Sequence, residues 1–180
     1  MNHSSSGLET KFIALDRKAS NGAEISGYAS IFGAADHNGD IVAPGAFLAS
    51  LRRLESEGRT VKLLWQHDPA QPIGVWSRVA EDRVGLSVSG RLLTETTRGA
   101  DAAALLAAGA IDGLSIGYRT IRAERAGAGR RLVEIDLWEV SLVTFPMLPS
   151  ARAATRAPDP EADIARALSE ALLGARAALA

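Results

Sequence analysis

The chain has 180 residues, of which 20 are Lys or Arg and 21 are Asp or Glu, so its formal net charge is −1. This length suits one domain with a short appendage, and the balanced charge offers no electrostatic case for binding nucleic acid. The absence of cysteine excludes a disulfide framework, a thiol nucleophile and thiolate metal sites. Apolar runs fall short of the roughly 18–20 residues that span a membrane, and residues 1–6 do not resemble a signal peptide. We therefore expect a soluble, cytoplasmic domain without a membrane or nucleic-acid partner.

The first 92 residues predict strands joined by hairpins, with one helix among them. Residues 1–10 are small and polar, which is typical of a flexible terminus. Alternating apolar and polar residues predict strands, joined in pairs by turn residues, at 11–15, 23–32, 75–79 and 84–92. Helical spacing of apolar residues between Pro44 and Gly58 predicts a helix, and residues 61–65 form a short apolar strand.

The remainder predicts a second helix, a long hairpin and a tail. Residues 97–108 are rich in Ala and Leu and end at Gly109, as helices commonly do. The longest strand candidates are 114–123 and 132–145. After Pro149 the composition shifts. We expect four segments: a flexible N-terminus (1–10), a β-barrel domain (11–150), a linker (151–160) and a C-terminal amphipathic helix (161–180).

This pattern predicts a mainly β fold with peripheral helices (α+β). About seven hairpin-connected strands favour a closed or nearly closed antiparallel β-barrel, because closure removes exposed strand edges. The predicted core consists of apolar residues from all the main strands: Ile25, Tyr28, Ile31, Leu63, Trp65, Val75, Leu86, Val88, Leu114, Ile116, Leu137, Val140 and Leu142.

Only one of the three histidines is a good candidate for chemistry. His3 lies in the polar terminus. His37 lies in the sequence DHNGD at 36–40, where the later positions of a calcium loop do not match, so we interpret this segment as a turn without a metal. His67 follows an apolar strand directly, and an imidazole there could act as a general base near neutral pH. By itself, such a histidine is more often an ordinary surface residue.

Ser115 is the candidate partner of His67. It lies among apolar residues, with Gly113 and Gly117 on either side, and small residues there would let a substrate backbone approach closely. The segment differs from the nucleophile elbow of doubly wound hydrolases, because a strand rather than a helix follows the serine. Without a base, Ser115 would be only a polar residue on a strand.

A serine nucleophile needs a base and usually a third group that orients the base. The strand at 132–145 offers three carboxylates, Glu134, Asp136 and Glu139. Glu139 lies in an otherwise apolar segment, where an ionised carboxylate is costly unless it is paired. The spacing alone leaves equal odds that Glu139 simply faces solvent on an edge strand.

Five motifs in order make the chain resemble the HK97-type prohead (procapsid maturation) serine proteases of tailed bacteriophages, a family also found in prophages and gene transfer agents. They span roughly residues 25–151: GYASIF at 27–32, GDIVAPGAF at 39–47, LLWQHD at 63–68, DGLSIGY at 112–118 and DLWEVSLVTFP at 136–146. Each motif is weak alone, whereas the ordered set is specific. The tail after Pro149 lies outside them.

The resemblance implies a serine endopeptidase with a barrel similar to the herpesvirus assembly proteases. It implies Ser115 as nucleophile, His67 as general base and Glu139, chosen over Asp136, as the third member, with no cofactor and no metal. The implied substrates are the scaffolding segment of the major capsid protein and the protease itself, cut inside the assembling procapsid in the cytoplasm of the bacterial host. A homo-oligomer is a further possibility.

Two other classes of function remain open. A catalytically silent capsid-assembly or scaffolding module would keep the fold but hold Ser115 and His67 too far apart for a hydrogen bond. A small ligand-binding barrel would need an apolar cavity, and the low aromatic content of 5% makes it the weaker alternative.

Overall fold

The computed structural model describes residues 23–127 and 129–155. The expected flexible terminus, the strand at 11–15, residues 156–160 of the linker and the C-terminal helix lie outside these residues, as does His3. The described elements in chain order are β1 (Glu24–Ile31), β2 (Ile41–Val42), α1 (Leu48–Ser56), β3 (Lys62–Trp65), β4 (Asp68–Glu81), β5 (Gly85–Leu92), α2 (Thr97–Ala107), β6 (Gly113–Ala126), β7 (Gly129–Val143) and β8 (Ala153–Thr155).

The strands form one curled, half-barrel sheet in the order β2-β7-β3-β4-β5-β1-β8, with β6 paired to β7. At the start of β6, the Leu114 amide donates to the Ala151 carbonyl at 2.9 Å, and the Ala153 amide donates to the Asp112 carbonyl at 2.7 Å. These bonds flank an isolated bridge between Gly113 and Arg152. The mainly β fold with two helices is therefore as predicted, whereas the structure describes a curled sheet rather than a closed barrel.

Two expectations about the strands are wrong. The pairs β2/β7 and β3/β7 are parallel rather than antiparallel, and parallel pairing requires a crossover, which α1 and the later strands provide. The first part of the expected linker (151–160) also contains a strand, because Ala153–Thr155 form β8 and pair with β1. Backbone pairing thus places residues 153–155 in the sheet.

The helices lie close to their predicted positions and pack on the sheet. The Ser50 hydroxyl of α1 accepts a hydrogen bond from the Leu137 amide at 2.9 Å, which holds α1 against β7. The Glu81 carboxylate accepts from the amides of Gly45 and Phe47 at 2.9 and 2.6 Å, just before α1 begins. The Thr96 hydroxyl caps α2. Neither helix in the described ranges has the length and apolar content needed to cross a membrane.

The predicted core is largely confirmed, with Val75 as the clear exception. Four predicted core residues outside β7 and three within it are almost fully buried, whereas Val75 is 46% exposed; the seven are Ile25, Leu63, Leu86, Leu114, Leu137, Val140 and Leu142. The cause is a bulge in β4: Trp76 pairs with Gly90 and Arg78 with Ser89, so Ser77 has no partner on β5. Because a bulge reverses the alternation beyond it, Val75 and Val79 do not share a face, and Trp76 is buried instead of Val75.

Candidate active site

His67 lies in a two-residue hairpin turn. Trp65, the last residue of β3, pairs with Asp68, the first residue of β4, so Gln66 and His67 alone form the turn. Both have positive φ values, +52° and +62°, as a type I′ turn requires. Non-glycine residues in this conformation cost about 1–3 kcal/mol each, and surrounding contacts must hold them there.

Hydrogen bonds to the end of β7 hold this turn. The Gln66 side-chain amide donates to the Thr144 hydroxyl at 2.7 Å and accepts from the Thr144 backbone amide at 3.3 Å. The Gln66 backbone amide donates to the Leu142 carbonyl at 3.0 Å. The His67 backbone amide donates to the Ser141 hydroxyl at 3.1 Å. The imidazole is thus attached to a turn with a defined position relative to β7.

His67 and Glu139 form a hydrogen-bonded pair. Nδ1 of His67 lies 2.6 Å from Oε1 of Glu139, and an ionised carboxylate only accepts, so the imidazole is the donor. Glu139 is 8% exposed, and its Oε2 accepts from the Ser141 hydroxyl at 2.5 Å. The hydrogen bond that His67 donates to Glu139 raises the pKa of His67 above 6.5, against the opposing effect of partial burial, and the negative charge of Glu139 adds to the rise.

A β-bulge at Trp138 and the absence of a side chain at Gly117 place the Glu139 carboxylate. Gly117 pairs with Glu139 and Tyr118 with Leu137, so Trp138 has no partner on β6. A Cβ atom at Gly117 would lie 2.0 Å from Oε1 of Glu139. We expected Gly117 to make room for a substrate backbone; the structure instead fills that room with the carboxylate.

Gly113 also differs from its expected role. A Cβ atom there would meet the Val143 carbonyl oxygen at 2.6 Å and Cδ of Pro146 at 2.7 Å. The space beside Gly113 is therefore taken by the chain that follows β7, not left open for substrate.

Ser115 lies beside the His67–Glu139 pair but is not hydrogen-bonded to His67. It is 5% exposed and pairs with Ser141 across β6 and β7, with side chains about 5 Å apart on one face. That face also carries Gly117 and Glu139, because residues two apart on a strand share a face. Among the described residues no hydrogen bond joins Ser115 Oγ to the imidazole. Such bonds often form only when substrate binds.

The alternative acid, Asp136, has other partners. Arg53 forms an ion pair with it, as does Arg119 at 3.3 Å, and the Ser50 hydroxyl lies 3.5 Å away. Burial works to raise the pKa of Asp136, but a hydrogen bond from Trp138 and the two arginine charges hold it below its ordinary range. Asp136 therefore stabilises the contact between α1 and the sheet, while Glu139 contacts His67.

The His37 segment is a turn, as predicted. Oδ1 of Asp36 accepts from the amides of Asn38 and Asp40 at 2.8 and 2.9 Å, and Asp40 is paired with Arg130. Groups of three or more potential metal-ligating residues are absent from the ranges the structure describes. The turn contacts the chain after β7, because the His37 amide donates to the Met147 carbonyl.

Arg98 and Gly99 lie in the first turn of α2, where the Gly99 amide donates to the Thr96 hydroxyl at 3.1 Å. Gly99 therefore serves the helix cap, and its lack of a side chain allows close contact with the Leu93 carbonyl. Hydrogen bonds from the Gln71 side chain and the Ala70 amide lower the pKa of Asp68, and the charge of Arg98 contributes less to the same effect.

Sequence reasoning missed Ser141 and Gln66. Ser141 is fully buried and joins Glu139 Oε2 to the His67 amide. Its position two residues after Glu139 was a usable signal, because the two side chains must share a face of the strand. Gln66 gave no comparable signal, since its role depends on contact with Thr144, which is distant in sequence.

Comparisons with known proteins identify the family of this chain. The sequence profile of the caudovirus prohead serine proteases matches residues 11–163. The "Prohead protease" of Enterobacteria phage HK97 is 36% identical over 124 residues, which cover 67% of this chain and 54% of that protein. The chain thus spans about half the length of this relative.

Two solved structures are also similar. The bacteriophage T4 capsid assembly protease, gp21, aligns over 68% of this chain and 81% of its own, with a TM-score of 0.58 and 16% identity, which indicates a shared fold. The KSHV protease in complex with a hexapeptide phosphonate inhibitor aligns over 77% of this chain and 66% of its own, but at 11% identity and a TM-score of 0.46. With the family profile matching most of its length, this chain belongs to the caudovirus prohead serine protease family.

Proposed function

We propose that this chain is a serine endopeptidase of capsid maturation, with Ser115 as nucleophile, His67 as general base and Glu139 as the group that orients His67. The observation that carries this proposal is the 2.6 Å contact between Nδ1 of His67 and Oε1 of Glu139, on the face of the sheet that carries Ser115. Membership of the family supports the reaction class.

The proposed chemistry is acyl transfer. Oγ of Ser115 attacks the carbonyl carbon of the scissile peptide while Nε2 of His67 takes the hydroxyl proton. The protonated imidazole then gives that proton to the leaving amine, and water hydrolyses the acyl-enzyme by the same route. Glu139 keeps the proton on Nδ1, so that Nε2 faces Ser115 as an acceptor, and it stabilises the imidazolium. The contact between His67 and Glu139 and the raised pKa of His67 support these roles.

The proposed substrates are the scaffolding segment of the major capsid protein and the protease itself, cut within the assembling procapsid in the cytoplasm of the host. The names of the HK97 and T4 relatives, a prohead protease and a capsid assembly protease, support this setting. We further propose that the curled sheet closes nearly into a barrel, which the bridge between Gly113 and Arg152 supports. A homo-oligomer is part of the same proposal.

The alternative is a catalytically silent capsid-assembly module. It is favoured by one observation, that no hydrogen bond between Ser115 and His67 occurs in the described residues. The buried Glu139 argues against it, because a silent module has no need to keep an ionised carboxylate beside a histidine at the expense of desolvation.

Co-expression with the cognate major capsid protein separates the two functions. The wild-type chain should shorten the capsid protein near its N-terminus, and the Ser115→Ala chain should leave it intact, as mass spectrometry would show. A fluorophosphonate, which reacts with activated serines, should label the wild type at Ser115 only. Equal processing by Ser115→Ala, or a wild type that neither cleaves nor reacts, would contradict the proposal.

A further inference from the structure

A cavity of about 440 Å³ lies between α1 and the sheet, at the part of β7 that precedes Glu139. Its wall includes Trp138, the residue before Glu139 and the one displaced by the bulge, which is 54% exposed. It also includes Lys62, which lies opposite Glu139 in the backbone register of β3 and β7. None of the roles proposed above uses this cavity.

The cavity and the proposed catalytic residues share one face of the sheet. Along β6, Ser115 and Arg119 are four residues apart and therefore point to the same side. Arg119 is paired with Asp136 in the register and contacts it through the side chain at 3.3 Å. Since a strand rises about 3.3 Å per residue, Arg119 lies about 13 Å from Ser115 along β6.

The wall of the cavity is positively charged. Four cations line it, namely Arg53, Arg59, Lys62 and Arg119. Two carboxylates form ion pairs with these cations. Asp136, which also lines the cavity, pairs with Arg53 and Arg119, and Glu57, outside the lining, pairs with Arg59 at 2.9 Å. Four cations against two carboxylates leave an excess of two positive charges.

Lys62 is the cation best placed to bind a ligand. The only hydrogen bond of the Lys62 ammonium group within the described residues is to the Thr60 hydroxyl, at 3.5 Å. No carboxylate of those residues lies within ion-pair distance of the ammonium. An ammonium group without a carboxylate partner, at the mouth of a cavity with excess positive charge, favours an anionic ligand.

We propose that this cavity is a substrate subsite that binds an acidic side chain of the peptide being cut, with Lys62 and Arg119 as its carboxylate-binding residues. The proposal rests on the proposed protease function. An extended peptide with its scissile bond at Ser115 rises about 3.3 Å per residue, so the acidic residue lies about four positions from the cut. The aliphatic part of that side chain packs on the exposed face of Trp138.

An acidic peptide fits this surface better than nucleic acid does. Nucleic-acid sites are extended basic surfaces that neutralise many phosphates, whereas this cavity is bounded and the whole chain has a net charge of −1. The cavity also lies on the same face of the sheet as Ser115, within reach of an extended peptide about four residues from the cut, which a site for an unrelated polymer would not require.

Binding is tested with the full chain carrying Ser115→Ala, so that no peptide is cut. A short fluorescent polyglutamate peptide should bind more tightly than polyglutamine of the same length, by fluorescence anisotropy at low salt. Adding Lys62→Gln should weaken polyglutamate binding about tenfold, the effect of one charge-assisted hydrogen bond, and leave polyglutamine unchanged. Arg122→Gln, which removes an exposed charge on β6 outside the cavity, is the matched control and should have no effect.

Three outcomes distinguish failure of the inference from failure of the proposed function. If the wild-type chain reacts with a fluorophosphonate but Lys62→Gln leaves polyglutamate binding unchanged, the subsite proposal is wrong and the protease proposal stands. If the wild-type chain does not react with the fluorophosphonate, the protease proposal is wrong, and the subsite proposal that rests on it is wrong too. If single-stranded DNA binds as tightly as polyglutamate and Lys62→Gln weakens both, the cavity is a general anion site and the peptide assignment is overturned.

Discussion

The carboxylate of Glu139 occupies the space that a side chain at Gly117 would need, with Oε1 only 2.0 Å from the ideal Cβ position. Because Oε1 is also the atom that contacts His67, a methyl group at Gly117 must displace the carboxylate from the imidazole. The two strands thus meet at a position where a single added carbon separates the acid from the base.

Gly117→Ala should therefore reduce activity much more than stability. The atom that must move is the end of a flexible side chain, so we expect a loss of stability of about 1 kcal/mol. We expect kcat to fall by about 10²-fold, because the imidazole loses its orienting partner. Thermal unfolding and cleavage of the capsid protein would measure the two effects. Unchanged kcat with normal folding would contradict the role of Glu139.

Ser141→Ala should disturb the His67–Glu139 pair by removing contacts at Oε2 of Glu139 and at the His67 backbone. The change removes the hydrogen bond to Oε2 of Glu139 and leaves the His67 amide without its acceptor. An unsatisfied buried group costs about 1–3 kcal/mol, so stability should fall by about that amount. If Ser141 positions the pair, kcat should fall while KM stays nearly constant. A rise in KM alone would indicate a role in substrate binding instead.

The pH dependence of activity should report the His67–Glu139 contact. The general base must be neutral, so kcat/KM should rise with pH through the pKa of His67, which the structure places above 6.5. Glu139→Gln removes both the hydrogen bond to the carboxylate and its charge, so the acidic limb should move to lower pH while the maximum rate falls. A limb that stays in place would show that Glu139 does not set this pKa.

The His67–Glu139 contact should also make the free energy of unfolding depend on pH, with greater stability at acidic pH. Because the pKa of His67 is raised on folding, its contribution is complete below pH 6.5 and is lost as pH rises through the folded-state pKa. The His67 side chain is 42% exposed, so solvent screening keeps this contribution small. Urea unfolding of wild type and Glu139→Gln should differ more just below pH 6.5 than at alkaline pH.

Asp136→Asn is the comparison for Glu139→Gln. It weakens the ion pairs with Arg53 and Arg119 that join α1 and β6 to β7, so we expect a loss of stability of about 1 kcal/mol, because both arginines are partly exposed. Activity at a temperature where the variant is folded should remain close to wild type. A larger loss of kcat in Asp136→Asn than in Glu139→Gln would reverse the proposed roles of the two acids.

Periodicity in the sequence predicted most of the secondary structure, because helices and strands bury one face at a regular spacing. The helix predicted at 97–108 is observed at Thr97–Ala107, and the last long hairpin is observed as β6 and β7. Where periodicity failed, a bulge was responsible: Ser77 has no partner on β5, so Val75 and Val79 lie on opposite faces and Val75 is exposed. Such irregularities depend on the partner strand, which local sequence does not specify.

Residue type and local sequence made Ser115 and His67 candidates, because few side chains supply a nucleophile or a base near neutral pH and the family motifs contain both residues. Only the tertiary structure decided that Glu139, rather than Asp136, contacts His67, and that Ser141 lies between the acid and the backbone of the turn. These contacts depend on the parallel pairing of β3 with β7, on the bulge at Trp138 and on the two arginines that form ion pairs with Asp136. Each joins segments far apart in the chain, where register and packing, not local preference, determine which polar atoms meet.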